Sequence, residues 1–65
     1  MKHSVLTINK TGKVVYEGLH QTAESAYDEY VKNIGLIKKF IKKDEKYTVV
    51  RVNEGQIMTM ETIEA

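Results

Sequence analysis

The feature that most constrains the fold is a stripe of apolar side chains in the middle of the chain. Its members recur at spacings of three and four: Ala23, Tyr27, Tyr30, Ile34, Ile37 and Ile41. That spacing places them on one side of an α-helix, because 3.6 residues make one turn. Thr22, just before the stripe, is a residue type that caps helix N-termini. The sequence therefore predicts one long amphipathic helix.

Gly35 lies inside this predicted helix, where glycine costs about 1 kcal/mol relative to alanine. Leu36 and Phe40 follow it and widen the apolar set, with Leu36 well off the stripe. Three interpretations stay open. The helix bends at Gly35, it breaks there into two helices, or Leu36 contacts a partner molecule.

The segments on either side of the helix are typical of β-hairpins. Residues 4–9 and 14–17 are rich in β-branched and apolar side chains, and the turn between them ends at Gly12. Gly12 supplies the left-handed conformation that this hairpin turn needs. Alternation places Leu6 and Ile8 on one face of the first strand and Val5 and Thr7 on the other.

The C-terminal third repeats this plan, with strands at 47–53 and 57–63 joined by a turn containing Gly55. Simple alternation divides the last strand into two faces: Met58, Met60 and Thr62 on one, and Ile57, Thr59, Glu61 and Ile63 on the other. Both faces hold apolar residues, so the pattern does not show which face is buried. Such a strand favours a second buried surface, as at a dimer interface.

Together these elements predict a two-layer α+β sandwich with the order ββαββ. A single hairpin is marginally stable, whereas two hairpins joined in a four-stranded antiparallel sheet gain an apolar face that the helix can cover. We expect one domain over residues 1–65. The order of the strands in the sheet is left open.

The chain has 65 residues and no cysteine, so disulfide bonds cannot stabilise its small core. Its two histidines are far apart in sequence, and we expect neither a metal site nor a cofactor. Self-association or a tightly packed core is then the remaining way to stabilise a domain of this size. No segment resembles a signal peptide or a membrane span, so we expect a cytoplasmic protein without a membrane partner.

Catalysis has little support in the sequence. There is no cysteine nucleophile, and the four glycines are isolated rather than gathered in a phosphate-binding loop. We therefore expect no enzymatic activity and no small-molecule substrate. The exception is a fold that gathers His3 or His20 with acidic groups in a cleft.

The favoured hypothesis is a small regulatory protein, such as a modulator or inhibitor of a larger protein, that acts through protein–protein contact. Apolar residues outside the helical stripe, and those on the last strand, form the predicted protein-binding set: Leu36, Phe40, Ile57, Met58 and Met60. We expect a homodimer and, beyond it, an unidentified protein partner.

The alternative is a nucleic-acid-binding module that uses the basic end of the helix. Its predicted residues are Lys32, Lys38, Lys39, Lys42 and Lys43, which would neutralise phosphates without reading sequence. The same lysines are also explained by helix electrostatics, because the helix begins with acidic residues and ends with basic ones. The chain's single arginine, Arg51, lies elsewhere, which disfavours specific reading of bases.

Overall fold

The computed structural model describes residues 2–65, so Met1 of the predicted domain lies outside the described residues. Its elements are β1 (His3–Asn9), β2 (Val14–His20), α1 (Ala23–Phe40), β3 (Lys46–Asn53) and β4 (Gln56–Glu64). The strands form one antiparallel sheet in the order β2-β1-β3-β4. The predicted ββαββ α+β fold is confirmed, and the second hairpin adds to the free edge of β1.

Both hairpin turns use the predicted left-handed glycines. Gly12 has a φ of 88° and Gly55 a φ of 82°. In the first turn the Asn9 side chain accepts backbone N–H groups from Thr11 and Lys13, each at 3.0 Å. Asn9 therefore fixes the turn through its side chain, which is the usual role of asparagine before a tight turn.

Helix α1 begins where the sequence predicts. Thr22 has an extended backbone, and its Oγ1 accepts the N–H of Ser25 at 3.1 Å. The helix then runs without interruption through Gly35 to Phe40, which excludes the predicted break. A Cβ at Gly35 would meet nothing within 4 Å, so no neighbour within the described chain requires glycine there.

The core lies between α1 and one face of the sheet. Its buried members come from the helix and from three strands: Val5, Ala26, Tyr30, Ile34, Val49 and Ile63. Ile37 and Ile41 pack against them. Ala23 and Tyr27 are exposed, contrary to the predicted stripe. Tyr27 lies at the edge of the stripe, where the Arg51 guanidinium sits 5.5 Å from its ring centroid.

The sheet has a second face that α1 does not cover. Paired residues on neighbouring strands point to the same side of a sheet. The register therefore puts eight apolar residues on the side opposite the helix: Leu6, Ile8, Val14, Leu19, Val50, Val52, Ile57 and Met60. We call this set the open face.

A β-bulge corrects the predicted alternation of the last strand. Thr59 pairs with Arg51 and Ile57 with Val52, so Met58 is an extra residue in β4. Since Val52 belongs to the open face, Ile57 does too. Placing Ile57 on the same face as Ile63 was therefore wrong, because one extra residue reverses the alternation beyond it.

Candidate protein-binding surfaces

The open face is an apolar surface without a covering layer in the part of the chain that the structure describes. Leu19, Ile57 and Met60 are 58%, 63% and 60% exposed. Val50, near the middle of the face, is only 4% exposed, because Leu6 and Met60 flank it on the neighbouring strands. The face thus combines a tightly packed centre with exposed apolar side chains around it.

Polar groups occur at the margins of the open face. Lys46 and Glu64 pair across β3 and β4, with 3.6 Å between Nζ and Oε1. The hydroxyls of Thr48 and Thr62 lie 3.1 Å apart one step further along the same strands. Glu17 is on the edge strand β2. An apolar centre with a polar margin is the usual organisation of a protein–protein interface.

A second apolar surface lies at the C-terminal end of α1. It is a groove of about 250 Å³ lined by Leu36, Ile37, Phe40, Ile41, Glu45 and Tyr47, which we call the helix-end groove. Leu36 and Phe40 are 46% and 66% exposed. Because the groove is formed largely by α1, it lies on the helix side of the sheet, away from the open face.

The only carboxylate in the helix-end groove is engaged by its own chain. Glu45 Oε1 accepts the backbone N–H of Lys42 at 2.7 Å, and Oε2 accepts the Tyr47 hydroxyl at 3.3 Å. The negative charge of Glu45 raises the pKa of Tyr47, with desolvation and this hydrogen bond adding to the effect. These contacts hold the loop after α1 against the start of β3.

The structure divides the predicted protein-binding set between the two surfaces. Ile57 and Met60 belong to the open face, whereas Leu36 and Phe40 line the helix-end groove. Met58 is the extra residue of the bulge and is 49% exposed. The sequence prediction missed six members of the open face: Leu6, Ile8, Val14, Leu19, Val50 and Val52. Alternation grouped Leu6 with Ile8 but gave no sign of which face the helix covers.

The five lysines of the nucleic-acid hypothesis are exposed, but they are not equivalent. Lys38 Nζ lies 3.1 Å from a carboxylate oxygen of Glu61. Lys39 Nζ lies 5.5 Å from the centroid of the Phe40 ring. Among residues 2–65, no carboxylate oxygen lies within 4 Å of the side-chain nitrogen of Lys32, Lys39, Lys42 or Lys43.

A polar cluster fastens the other end of α1 to the edge strand β2. Glu29 Oε2 accepts the Tyr16 hydroxyl, and Glu29 Oε1 lies 2.7 Å from His20 Nε2. His20 Nδ1 lies 3.1 Å from the Ser25 hydroxyl. Because a carboxylate only accepts hydrogen bonds, Nε2–H of His20 is the donor to Glu29. We call these four residues the β2–helix cluster.

Gly18 makes room for this cluster. It lies between Tyr16 and His20 on the helix-facing side of β2, and a Cβ there would be 2.0 Å from Glu29 Oε1. No real Cβ contact is that short. The Glu29 carboxylate can therefore lie against the strand only because residue 18 has no side chain.

Electrostatics keep Glu29 ionised. Desolvation by burial raises its pKa, but hydrogen bonds from Tyr16 and His20 outweigh it, helped by the positive charges of His20 and Lys32, so the net pKa is lowered. The hydrogen bond to Glu29, with desolvation, raises the pKa of Tyr16. The cluster is thus a carboxylate held by donors from strand and helix.

Catalysis was expected only if the fold gathered His3 or His20 with acidic groups in a cleft. The cluster meets one part of that condition, because the fold brings His20 to Glu29. The helix-end groove, however, and a second groove lined by residues 9–11 and 44–47 both lie at the opposite end of α1. The contacts of Ser25 with Thr22 and His20 also belong to the cap of the helix. We assign the cluster to helix docking and no reaction to it.

Fold and surfaces together define a small α+β domain in which one helix covers one side of a four-stranded sheet. Comparison with protein-family models, with curated proteins and with solved structures finds no match to this chain. Among residues 2–65, no helix combines the length and the apolar character that crossing a bilayer requires. Function is therefore argued from the two surfaces.

Proposed function

We propose that this chain is a non-enzymatic protein-binding domain that forms a homodimer by packing the open faces of two copies against each other. The observation that supports this is that eight apolar residues share the side of the sheet that α1 does not cover, with Leu19, Ile57 and Met60 more than half exposed. Soluble monomers rarely expose contiguous apolar patches larger than a few hundred Å², and the largest patch on a protein is often functional.

The size of the face indicates a weak to moderate dimer. Four strands of about seven residues span roughly 19 by 23 Å, or about 450 Å² of flat surface before side-chain relief is counted. Specific interfaces bury about 800 Å² per partner, and small ones are usually transient. We expect a dissociation constant in roughly the micromolar range.

A second copy fits this face because the face is complementary to itself. Its centre is the cross-strand pair Leu6 and Val50, and the charged groups of that face are at the margins. Two-fold symmetry brings the same patch together on both copies, so a charged centre would repel itself and an apolar one does not. Two sheets packed about 10 Å apart would also give this cysteine-free chain a second core layer.

The first prediction tests this interface by placing a charge in it. Met60→Lys and Ile57→Lys should each shift the sedimentation-velocity distribution from dimer to monomer, because the lysine would be desolvated against an apolar partner. The titration covers about 1 to 200 µM, a range that brackets the expected dissociation constant. Val31→Lys is the matched control, since Val31 is 49% exposed but lies on the helix.

Wild-type chain that stays monomeric up to the highest concentration would contradict the dimer. So would a dimer that survives both open-face substitutions but dissociates with Val31→Lys, because the interface would then lie on the helix. Circular dichroism of each variant shows whether the monomers keep the native fold.

A further inference from the structure

We propose that the helix-end groove binds an acidic amphipathic helix of a partner protein. This goes beyond the homodimer and does not depend on it, because the groove and the open face lie on opposite sides of the sheet. In a dimer built through the open faces, both grooves would remain accessible on the outer surfaces. Such an arrangement would let one dimer hold two partner segments.

The shape of the groove suits a helical segment better than a small molecule. Its volume of about 250 Å³ is below the 300–1,000 Å³ that is usual for small-molecule sites. Leu36 and Phe40 are spaced i and i+4 on α1 and are exposed. Side chains at that spacing form a ridge that packs between side chains of a second helix, while the groove beside them accepts its apolar anchors.

The charges around the groove select an acidic partner. Lys39 lies over the ring of Phe40, and the backbone of Lys42 is bonded to Glu45 of the groove. Lys43 follows directly in sequence. In the described part of the chain, no carboxylate oxygen lies within 4 Å of the side-chain nitrogen of any of these three lysines. The donors to Glu45, a backbone N–H and a tyrosine hydroxyl, are neutral. Three lysines against Glu45 and Asp44 nevertheless leave the surroundings of the groove net positive.

The same observations favour protein over nucleic acid as the occupant. Phosphates bound to the lysines would leave Leu36 and Phe40 in water, whereas an amphipathic helix would cover them. The arginine that base recognition favours is absent from this region, since Arg51 donates to Thr59 and lies against Tyr27. Nucleic acid is therefore the outcome that the experiment must separate from a peptide.

The test uses two fluorescent amphipathic peptides with identical leucine spacing, one with glutamate and one with lysine at every charged position. Anisotropy titrations with the full chain should show saturable binding of the glutamate peptide and none of the lysine peptide. Binding should weaken between about 50 and 200 mM salt as the charges are screened. Phe40→Ser should weaken it by about tenfold or more, as loss of a central aromatic anchor does.

A charge swap makes the test independent of folding. Lys39→Glu combined with Lys42→Glu should reverse the preference, so that the lysine peptide binds and the glutamate peptide does not. Lys13→Glu is the matched control, because Lys13 is an exposed lysine beside the first hairpin turn. It should leave both titrations unchanged. Met60→Lys should also keep peptide binding, which separates this proposal from failure of the dimer.

Three results would overturn the proposal. The first is no saturable binding of the glutamate peptide up to about 0.5 mM, which is too weak for a specific site. The second is equal binding of both peptides. The third is binding of single-stranded RNA or duplex DNA that Phe40→Ser leaves unchanged while neither peptide binds, which would assign the lysines to nucleic acid.

Discussion

The two faces of the sheet differ in apolar content, and the face that the helix leaves uncovered carries more apolar residues than the face that it covers. On the face that α1 covers, the aliphatic side chains are Val5, Val49 and Ile63, and they stand among polar ones such as Thr7 and Arg51. The uncovered open face carries eight apolar residues. A sheet face in contact with water is normally the more polar one. This difference between the two faces is the basis of the proposed homodimer.

The two faces also differ in how they specify contacts. The covered face holds its helix through directional bonds at one end, where Glu29 joins Tyr16 and His20, and through a small apolar core at the other. The open face offers few hydrogen-bonding groups near its centre, so contacts there depend on shape and area. One face thus fixes a unique helix position, and the other suits a partner layer.

The largest expected effect comes from placing the same charge on each face at neighbouring residues. Val49 is 0% exposed on the covered face, and Val50 is 4% exposed on the open face. Val49→Asp should cost about 3–5 kcal/mol of unfolding free energy, because the carboxylate would be buried beneath α1. Val50→Asp should cost less, about 1–2 kcal/mol in the monomer, because no helix lies over the open face and the aspartate can turn toward solvent. Urea denaturation at low micromolar concentration measures both.

Equal losses for the two variants would contradict this contrast between the faces. The contrast sharpens at high concentration, where the wild type should gain stability from dimerisation and Val50→Asp should not. A wild-type unfolding midpoint that is independent of protein concentration would mean that self-association contributes nothing to stability over that range.

The local elements of the covered face were predictable from the sequence. The three-and-four spacing of the stripe predicted α1, and Asn9 with Gly12 predicted the first turn. The features that the sequence does not predict are those that depend on pairing between distant segments. Met58 becomes an extra residue only through the register of β4 against β3, and no residue within β4 signals it.

The candidate surfaces were predictable to a smaller extent, for a related reason. Ile57, Met60, Leu36 and Phe40 were found as apolar residues without an assigned place in the core. Leu6 and Val50 were not, because each alternates with a neighbour, Val5 or Val49, that is just as apolar. Which of the two faces the helix covers is decided by tertiary packing.

The next prediction tests how the covered face holds its helix, using two glycines of opposite character. Gly18→Ala would place a Cβ 2.0 Å from Glu29 Oε1, so the carboxylate must move and the β2–helix cluster is lost. We expect a loss of about 1–1.5 kcal/mol of unfolding free energy, because the flexible Glu29 side chain can turn away but gives up its hydrogen bonds to Tyr16 and His20. Gly35→Ala should gain up to about 1 kcal/mol, because its Cβ meets nothing and alanine favours the helix. Thermal and urea unfolding measure both signs.

A double substitution separates this clash from other effects of a new methyl group on β2. In a Glu29→Ala background the carboxylate is gone, so Gly18→Ala should cost much less than it does in the wild type. Costs that simply add would show that Gly18 serves the strand itself rather than the cluster.

The smallest expected effect concerns the charge of Glu29. Its pKa is lowered in the folded chain, so folding favours the carboxylate. The resulting stability is present above the unfolded pKa, about 4.3, and is lost as pH falls through the folded value.

Glu29→Gln removes this titration while keeping the side chain's size. It should lower the unfolding free energy by about 1 kcal/mol near pH 6, because hydrogen bonds to a charged acceptor are stronger than those to an amide. The difference from wild type should shrink as pH falls through the lowered folded pKa of Glu29, because the wild-type carboxylate then takes up its proton. Glu24→Gln, an exposed change in the first turn of the same helix, should show a smaller pH dependence. If the two variants follow the same curve, the docking of α1 on β2 does not depend on an ionised Glu29, and the covered face would be held by its apolar core alone.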